Sequence, residues 1–228
     1  MKNNLLALDA STEALSIALH YEGKFIRHFE VCPQQHSQKI LPLVERILRE
    51  ADITLNDLDG IVFGRGPGSF TGVRISTAVA QGLAFSSGLK LVGVSTLQAM
   101  AQQAWMEAGK SDVVAAIDAR MGEVYLCQYQ GDNNGIIQPT TEETVIKPEQ
   151  IDFTATGAVG VGTGWQAFSD LTHQLECQVI ENISLPDAYY MLFIADDAFT
   201  QGLSVGAANA QPQYVRDTVT WKKLPGRE

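Results

Sequence analysis

An internal repeat constrains the fold of this 228-residue chain more than any other feature of its sequence. The segment VVAAIDARMGEVYLCQYQGDNNGII, from Val113, can be laid over NLLALDASTEALSIALHYEGKFI, from Asn4, with only small shifts. In both copies an apolar strand ends in Asp-Ala, so that Asp118 falls on Asp9, and a turn, an alternating strand and a glycine turn follow. Such a repeat predicts two similar lobes rather than one doubly wound sheet. The alternative is that two hairpins merely resemble each other.

The hydrophobic pattern around the repeat predicts an α/β protein in which strands and helices alternate. The two lobes are expected at residues 1–110 and 111–228, joined near 109–112. In the first lobe the predicted strands are Leu5–Asp9, Leu15–His20, Lys24–Glu30, Gly60–Phe63 and Lys90–Val94. The predicted helices run from a cap at His36 or Ser37 to Ala51, from about Phe70, and from Leu97 to Ala108. In the second lobe, beyond the repeated segment, they are a strand at Ala158–Gly164, a helix from Trp165, and a helix at Asp187–Gln201.

The charge and the cysteines exclude several classes of protein. A net charge of −10 disfavours direct binding to nucleic acid, which depends on Lys and Arg releasing counterions from phosphate. A small basic cluster near the C-terminus is interpreted as a solvated tail, and it comprises Arg216, Lys222, Lys223 and Arg227. Three scattered cysteines suggest neither a disulfide framework nor a zinc site. No stretch approaches the roughly 20 apolar residues of a membrane span, so we expect a cytoplasmic protein.

The stretch GRGPGSFTGVR, from Gly64 to Arg74, looks like a phosphate-binding loop. It lacks the lysine and hydroxyl residue of a Walker A loop, and it has neither the GxGxxG spacing nor the distant acid of a dinucleotide site. What remains is a strand, a tight turn and a helix whose first free amides Ser69 can cap. An anion held at the same helix start is the weaker alternative.

The helix that follows is unusually apolar. From Phe70 to Ser87 its only charged residue is Arg74, whereas a surface helix normally keeps one polar face. Either the helix is wholly interior or part of it binds another protein. Because the lobe is small, the sequence favours a protein-binding surface.

The sequence offers no clear catalytic group. No two histidines have the i, i+4 spacing of a metal pair on a helix, and no GxSxG motif marks a serine nucleophile. Asp9, Thr12 and Asp118 could surround a hydrated magnesium ion between the lobes. Arg120 could contact phosphate, or it could pair with Glu123.

Five segments together resemble the TsaB family, also called YeaZ, over nearly the whole chain. They are LALDAST, HSQKILPLV, GRGPGSFTGVRIS, AAIDARMGEVY and QPQYVRD. The resemblance implies a two-lobed fold of the actin and Hsp70 type, built from duplicated RNase H-like lobes of which the second is shortened. It further implies a non-catalytic subunit that pairs with its paralogue TsaD. With TsaE and TsaC these proteins make N6-threonylcarbamoyladenosine next to the anticodon of tRNAs that read ANN codons.

The resemblance also implies partners and an interface. The two helices of the first lobe are expected to form a helical bundle with TsaD or, in a homodimer, with a second copy, and tRNA is contacted only through the complex. The implied interface comprises Ile40, Leu43, Val44, Ile47, Phe70, Val73, Arg74, Thr77, Ala78, Val79 and Leu83. No tightly bound cofactor is expected, and ATP or ADP with magnesium at the boundary with TsaD stays an open alternative. A weak ATPase using Asp9, Thr12, Asp118 and Arg120 is the competing function, followed by a glycoprotease-like peptidase.

Overall fold

The first of two sheets is built from the first copy of the repeat and the two strands after it. The computed structural model describes residues 1–216, so the basic tail predicted at Lys222, Lys223 and Arg227 lies outside the described residues. The strands are β1 (Leu5–Asp9), β2 (Ala14–Tyr21), β3 (Lys24–Val31), β4 (Gly60–Gly66) and β5 (Lys90–Ser95), in the order β3-β2-β1-β4-β5. The first three strands form an antiparallel meander, and β4 and β5 continue the sheet in parallel with β1.

The second sheet repeats this order. Its strands are β6 (Asp112–Arg120), β7 (Glu123–Gly131), β8 (Ile137–Pro139), β9 (Thr144–Ile146), β10 (Val159–Val161) and β11 (Gln178–Val179). They are ordered β11-β10-β6-β7-β8, and β9 also pairs with β7. The strand β6 takes the place of β1, with antiparallel β7 on one side and parallel β10 on the other. The predicted two-lobed, actin-like fold is therefore confirmed, and the shared order argues against two hairpins that merely look alike.

Helices cover the outer faces of both sheets and fill the space between them. They are α1 (His36–Glu50), α2 (Phe70–Ser87), α3 (Thr96–Ala108), α4 (Gly164–Ala167), α5 (Leu171–Leu175) and α6 (Ala188–Thr200). One core lies between the first sheet and the helices α1 and α2. On the far face of the second sheet, Trp165 of α4 and Leu171 of α5 pack into another core. These two helices have four and five residues, which is how the second lobe is shortened.

The middle layer consists of α6, which packs against the first sheet, and α3, which packs against the second. Met191 and Leu192 of α6 are buried with Leu5 and Val62 of the first sheet. In the other core, Met100 and the rest of one face of α3 pack against β6 and β7. The division of the chain at residue 110 stays a prediction, and α6, which it assigns to the second lobe, contacts the sheet of the first.

Several element boundaries differ from the sequence-based prediction. The strand predicted to end at Phe63 continues to Gly66, because the glycine segment keeps pairing with β5 through a register shift. The helix predicted from Trp165 is two short helices. Helix α1 begins at His36 after Gln35, without a side-chain cap, so the capping predicted for His36 or Ser37 is wrong. The short strands β9 and β11 were not predicted, since three and two residues carry almost no periodicity.

Candidate functional site

Residues 64–69, which we call the glycine loop, pack directly against the turn that follows β1. The backbone N–H of Ser69 donates to the carbonyl of Ser11 at 2.7 Å. A β-carbon at Gly68 would overlap that carbonyl oxygen, and one at Gly72 would overlap the carbonyl oxygen of Ala10. These two glycines are therefore required because only residues without a side chain allow the two backbones to approach so closely.

Ser69 provides a partner for one of the free amides at the start of α2. The N–H of Gly72 donates to the Ser69 hydroxyl at 3.3 Å, which confirms the predicted cap. The first regular helical hydrogen bond runs from the N–H of Val73 to the Ser69 carbonyl. The capping interpretation is therefore confirmed, and an anion at the same helix start stays a prediction.

Asp9 lies next to the contact between the glycine loop and Ser11, and its side chain is fully buried. Its carboxylate accepts from the Ser11 hydroxyl at 2.9 Å and from the Ser11 N–H at 3.1 Å. Burial raises the pKa of Asp9 to about 7, the charge of Asp187 adds to the rise, and the two Ser11 hydrogen bonds oppose it. A β-carbon at Gly64 would overlap this carboxylate. The first glycine of the motif therefore makes room for the buried acid.

The two lobes enclose a cleft of about 1540 Å³, whose walls include Thr12, Asp118 and Arg120 but not Asp9. Asp118 accepts from the Arg120 N–H at 2.8 Å and from its guanidinium at 3.0 Å. The same guanidinium donates to Glu13 of the first lobe at 3.1 Å. The pairing of Arg120 with Glu123 considered from the sequence is therefore wrong.

The four residues considered for nucleotide binding thus do not form one site in this structure. Asp9 is sealed from the cleft, and Asp118 and Arg120 are bonded to each other. Within residues 1–216, no three His, Cys, Asp or Glu side chains come together as metal ligands. This donor set does not fit a magnesium ion held between the two aspartates.

Helix α2 has one buried and one exposed face. The buried face is made largely of small side chains, including Ser76, Ala80 and Ala84. The exposed face is a row at spacings of four, four, four and three, which we call the α2 stripe: Phe70, Arg74, Ala78, Gly82 and Phe85. Phe70 is 61% exposed and Phe85 84%. Exposed apolar side chains grouped on one face of a helix mark a candidate surface for another molecule.

The structure separates the predicted interface residues into three groups. Ile40, Leu43, Val44 and Ile47 of α1, with Val73 and Thr77 of α2, are buried within the chain itself. Val79 and Leu83 are partly buried against the same core. Phe70, Arg74 and Ala78 face outward. The first group packs in the core beneath the two helices, and only the third group is exposed to solvent. The interface itself stays a prediction.

The interface residues predicted from the sequence do not include Gly82 and Phe85. Their spacing from Phe70, Arg74 and Ala78 would have placed them on the same face. The prediction also missed Tyr214, whose ring lies 5.0 Å from the Arg74 guanidinium on the side facing the cleft. No local pattern links residues 140 positions apart.

None of the helices between residues 1 and 216 has the length and apolar character needed to cross a bilayer.

Comparison with known proteins gives consistent matches over the chain. The family model described as TsaD, tRNA N6-adenosine threonylcarbamoyltransferase, matches residues 28–220. The tRNA threonylcarbamoyladenosine biosynthesis protein TsaB of Escherichia coli (strain K12) is 48% identical, over 98% of this chain and 99% of that protein. The protein of the same name from Haemophilus influenzae is 44% identical, over 98% of both chains.

A crystal structure from Pseudomonas aeruginosa has the same fold. It is described as an uncharacterized protein with similarity to peptidase YEAZ, and it is 43% identical with a TM-score of 0.88. The match covers 95% of this chain and 100% of that one. The likeness therefore extends over both lobes.

Proposed function

The chain belongs to the TsaB family of tRNA threonylcarbamoyladenosine biosynthesis proteins, and we propose that it is the non-catalytic scaffold and activator of that pathway. In this proposal it pairs with TsaD, and with TsaE, in the cytoplasmic complex that forms N6-threonylcarbamoyladenosine next to the anticodon of tRNAs reading ANN codons. It reaches tRNA only through the complex, and it forms a homodimer when TsaD is absent.

The observation that carries the proposal is the α2 stripe. Two exposed phenylalanines flank Ala78 and Gly82, whose small size allows the backbone of another helix to approach closely. A β-carbon at Gly82 would meet nothing within 4 Å, so this part of the helix is open. A partner helix lying along the stripe would remove both rings from water.

The state of the polar groups supports a non-catalytic role. Asp9 is buried under Ser11 and does not line the cleft, so it is not placed to share a catalytic metal ion with Asp118. Cys32, Cys127 and Cys177 are buried, and burial raises the pKa of each thiol. A peptidase would need an activated nucleophile, and these thiols are poorly suited to that role.

The experiment that tests the proposal is Ala78→Glu. A buried, unpaired carboxylate is costly at an interface, so we expect association with TsaD to weaken at least a hundredfold while the isolated chain stays folded. Ala78 is preferred to Val79 or Leu83 for this test because those two side chains also contact the chain's own core. Calorimetric titration of TsaD measures the change.

The matched control is Ala108→Glu, the same substitution at an exposed position at the end of α3. It should bind TsaD as the unaltered chain does. Unchanged binding by Ala78→Glu, or equal weakening by both variants, would contradict docking on the stripe.

The proposal places any adenine nucleotide with magnesium at the boundary with TsaD rather than between Asp9 and Asp118. The support is that Asp9 does not reach the cleft. The isolated chain should therefore show no micromolar binding of magnesium and ATP by calorimetry. Binding that disappears in Asp9→Ala would instead favour the competing ATPase.

A further inference from the structure

The segment Ala210–Arg216, which we call the strap, starts from the first lobe. Just before it, Val205 and Leu91 exchange two backbone hydrogen bonds of 2.8 Å at the edge of the first sheet. The carbonyl of buried Ala210 then accepts from the Gln81 side chain on α2, also at 2.8 Å. The strap is thus anchored on α2, and the segment just before it on β5.

The strap next runs along the cleft and reaches the second lobe. The N–H of Gln213 donates to the carbonyl of Arg65 at 2.8 Å, and residues 213–216 form part of the cleft wall. At its end, Arg216 donates to the Glu123 carboxylate and, at 3.2 Å, to the carbonyl of Ala119. Both acceptors belong to the hairpin of β6 and β7.

Arg65, whose carbonyl accepts a hydrogen bond from the strap, also pairs with a side chain of the second lobe. The Arg65 guanidinium makes two hydrogen bonds, of 3.2 and 3.3 Å, to the two carboxylate oxygens of Glu143. The Glu143 side chain is only 7% exposed. Arg65 thus holds the strap through its carbonyl and the second lobe through its side chain. Two-point pairing of this kind fixes direction as well as distance.

A further ion pair between the lobes is much more exposed. Arg120 and Glu13 meet across the cleft, but their side chains are 74% and 46% exposed. Water and salt screen such a pair, which contributes little. By contrast, the Arg216 and Glu123 side chains are 18% and 27% exposed. Arg216 and Arg65 therefore make the less exposed ion pairs across the cleft, in addition to the hydrogen bonds that join buried Gln102 of α3 to Gly135 and Ile137.

We propose that the strap locks the two lobes at one cleft width, with the Arg216–Glu123 pair as its fastening point. Domain closure about a ligand requires that two bodies rotate about a few flexible residues. Here the strap would have to detach from Glu123 and Ala119 before such a rotation. This chain is consequently a fixed platform rather than a hinge that opens and closes around a nucleotide.

The test is a distance measurement between spin labels on the two lobes of the full chain. Labels at exposed positions, Gln38→Cys and Asp170→Cys, report the cleft width, because the three native cysteines are buried. The parent should give one narrow distance distribution, and adding magnesium and ATP should leave it unchanged. Arg216→Ala should at least double its width.

Two further variants and one control keep the test decisive if Arg216→Ala folds poorly. Glu123→Gln is nearly isosteric and should broaden the distribution, and the charge exchange Arg216→Glu with Glu123→Arg should narrow it again. The control Arg49→Ala breaks an exposed pair with Glu45 inside α1 and should change nothing. An unchanged width in both Arg216→Ala and Glu123→Gln, or a shift caused by the nucleotide in the parent, would overturn the proposal.

Discussion

The two copies of the repeat place an aspartate at the same point of the fold and give it opposite surroundings. Asp9, at the end of β1, is fully buried and bonded to Ser11. Asp118, near the end of β6, remains 22% exposed and pairs with the solvated side chain of Arg120. The equivalent strands are alike, so the difference arises from what lies over each strand end.

In the first copy the cover is the glycine loop and the long helix α2. In the second copy the helix at the matching place is α4, with four residues, and its preceding Thr163 merely accepts a hydrogen bond from the Asp118 N–H at 3.2 Å. A duplicated framework therefore does not preserve duplicated chemistry. The local connection after β4 in one sheet, and after β10 in the other, decides whether the acid is sealed or open.

The largest loss of stability should come from Gly72→Ala, which disrupts the contact between α2 and the turn next to Asp9. The added methyl group would overlap the Ala10 carbonyl, and backbone on both sides leaves little room to relax. We expect a loss of about 3 kcal/mol in the free energy of unfolding, as for severe overpacking. Urea denaturation measures it.

Gly82→Ala, in the same helix, is the matched control. Its new β-carbon would meet nothing within 4 Å, and alanine is the better helix former, so a gain of about 0.5–1 kcal/mol is expected. Similar changes in the free energy of unfolding of Gly72→Ala and Gly82→Ala would mean that helix propensity, and not the contact of Gly72 with the turn after β1, determines the effect of both substitutions.

A pH series sharpens the comparison next. The folded chain holds a proton on Asp9 up to its pKa of about 7, whereas the unfolded chain releases it near 3.9. Stability must therefore fall as pH rises between these values, by roughly 2.5 kcal/mol from pH 5 to pH 8. Asp9→Asn, which cannot ionise, should lose this component in urea denaturation at the two pH values.

The control for the pH series is Asp118→Asn, which retains Asp9 and should retain the loss. If Asp9→Asn and the unaltered chain lose the same amount between pH 5 and pH 8, Asp9 is not the buried acid that the structure describes.

The smallest loss of stability should come from a substitution in the second copy of the repeat, where Asp118 remains partly exposed. Arg120→Ala removes the contacts to Asp118 and Glu13, yet the Arg120 side chain is 74% exposed in both pairs, so the loss should stay below about 1 kcal/mol. Thermal unfolding in low salt and in 1 M NaCl measures it, and high salt should abolish most of the difference. A loss that persists in high salt would show that the second turn is sealed like the first.

The sequence predicts most of the framework because the repeat and the alternating strands are local patterns. Leu5–Asp9 and Phe70 to Ser87 were placed correctly, since burial on a strand and helical spacing both repeat over short distances. The brief pieces β9, β11, α4 and α5 depend instead on tertiary contacts, and two to five residues give no period to detect.

The site is less predictable for the same reason. The capping role of Ser69 follows from its position before a helix, and it is confirmed. The burial of Asp9 depends on the loop around Gly68, nearly sixty residues away, and the sequence alone suggested an open magnesium ligand. The partners of Arg65 and Arg216 lie 78 and 93 positions off, so no motif announces them.

The packing of α6 has a consequence for how the chain is made. The first sheet is translated early, yet the face formed by Leu5, Ala7 and Val62 stays uncovered until residues 188–200 arrive. While the ribosome extends the chain, this apolar face is open to chaperones or to other nascent chains. The first lobe can therefore complete its fold only after α6 has been translated.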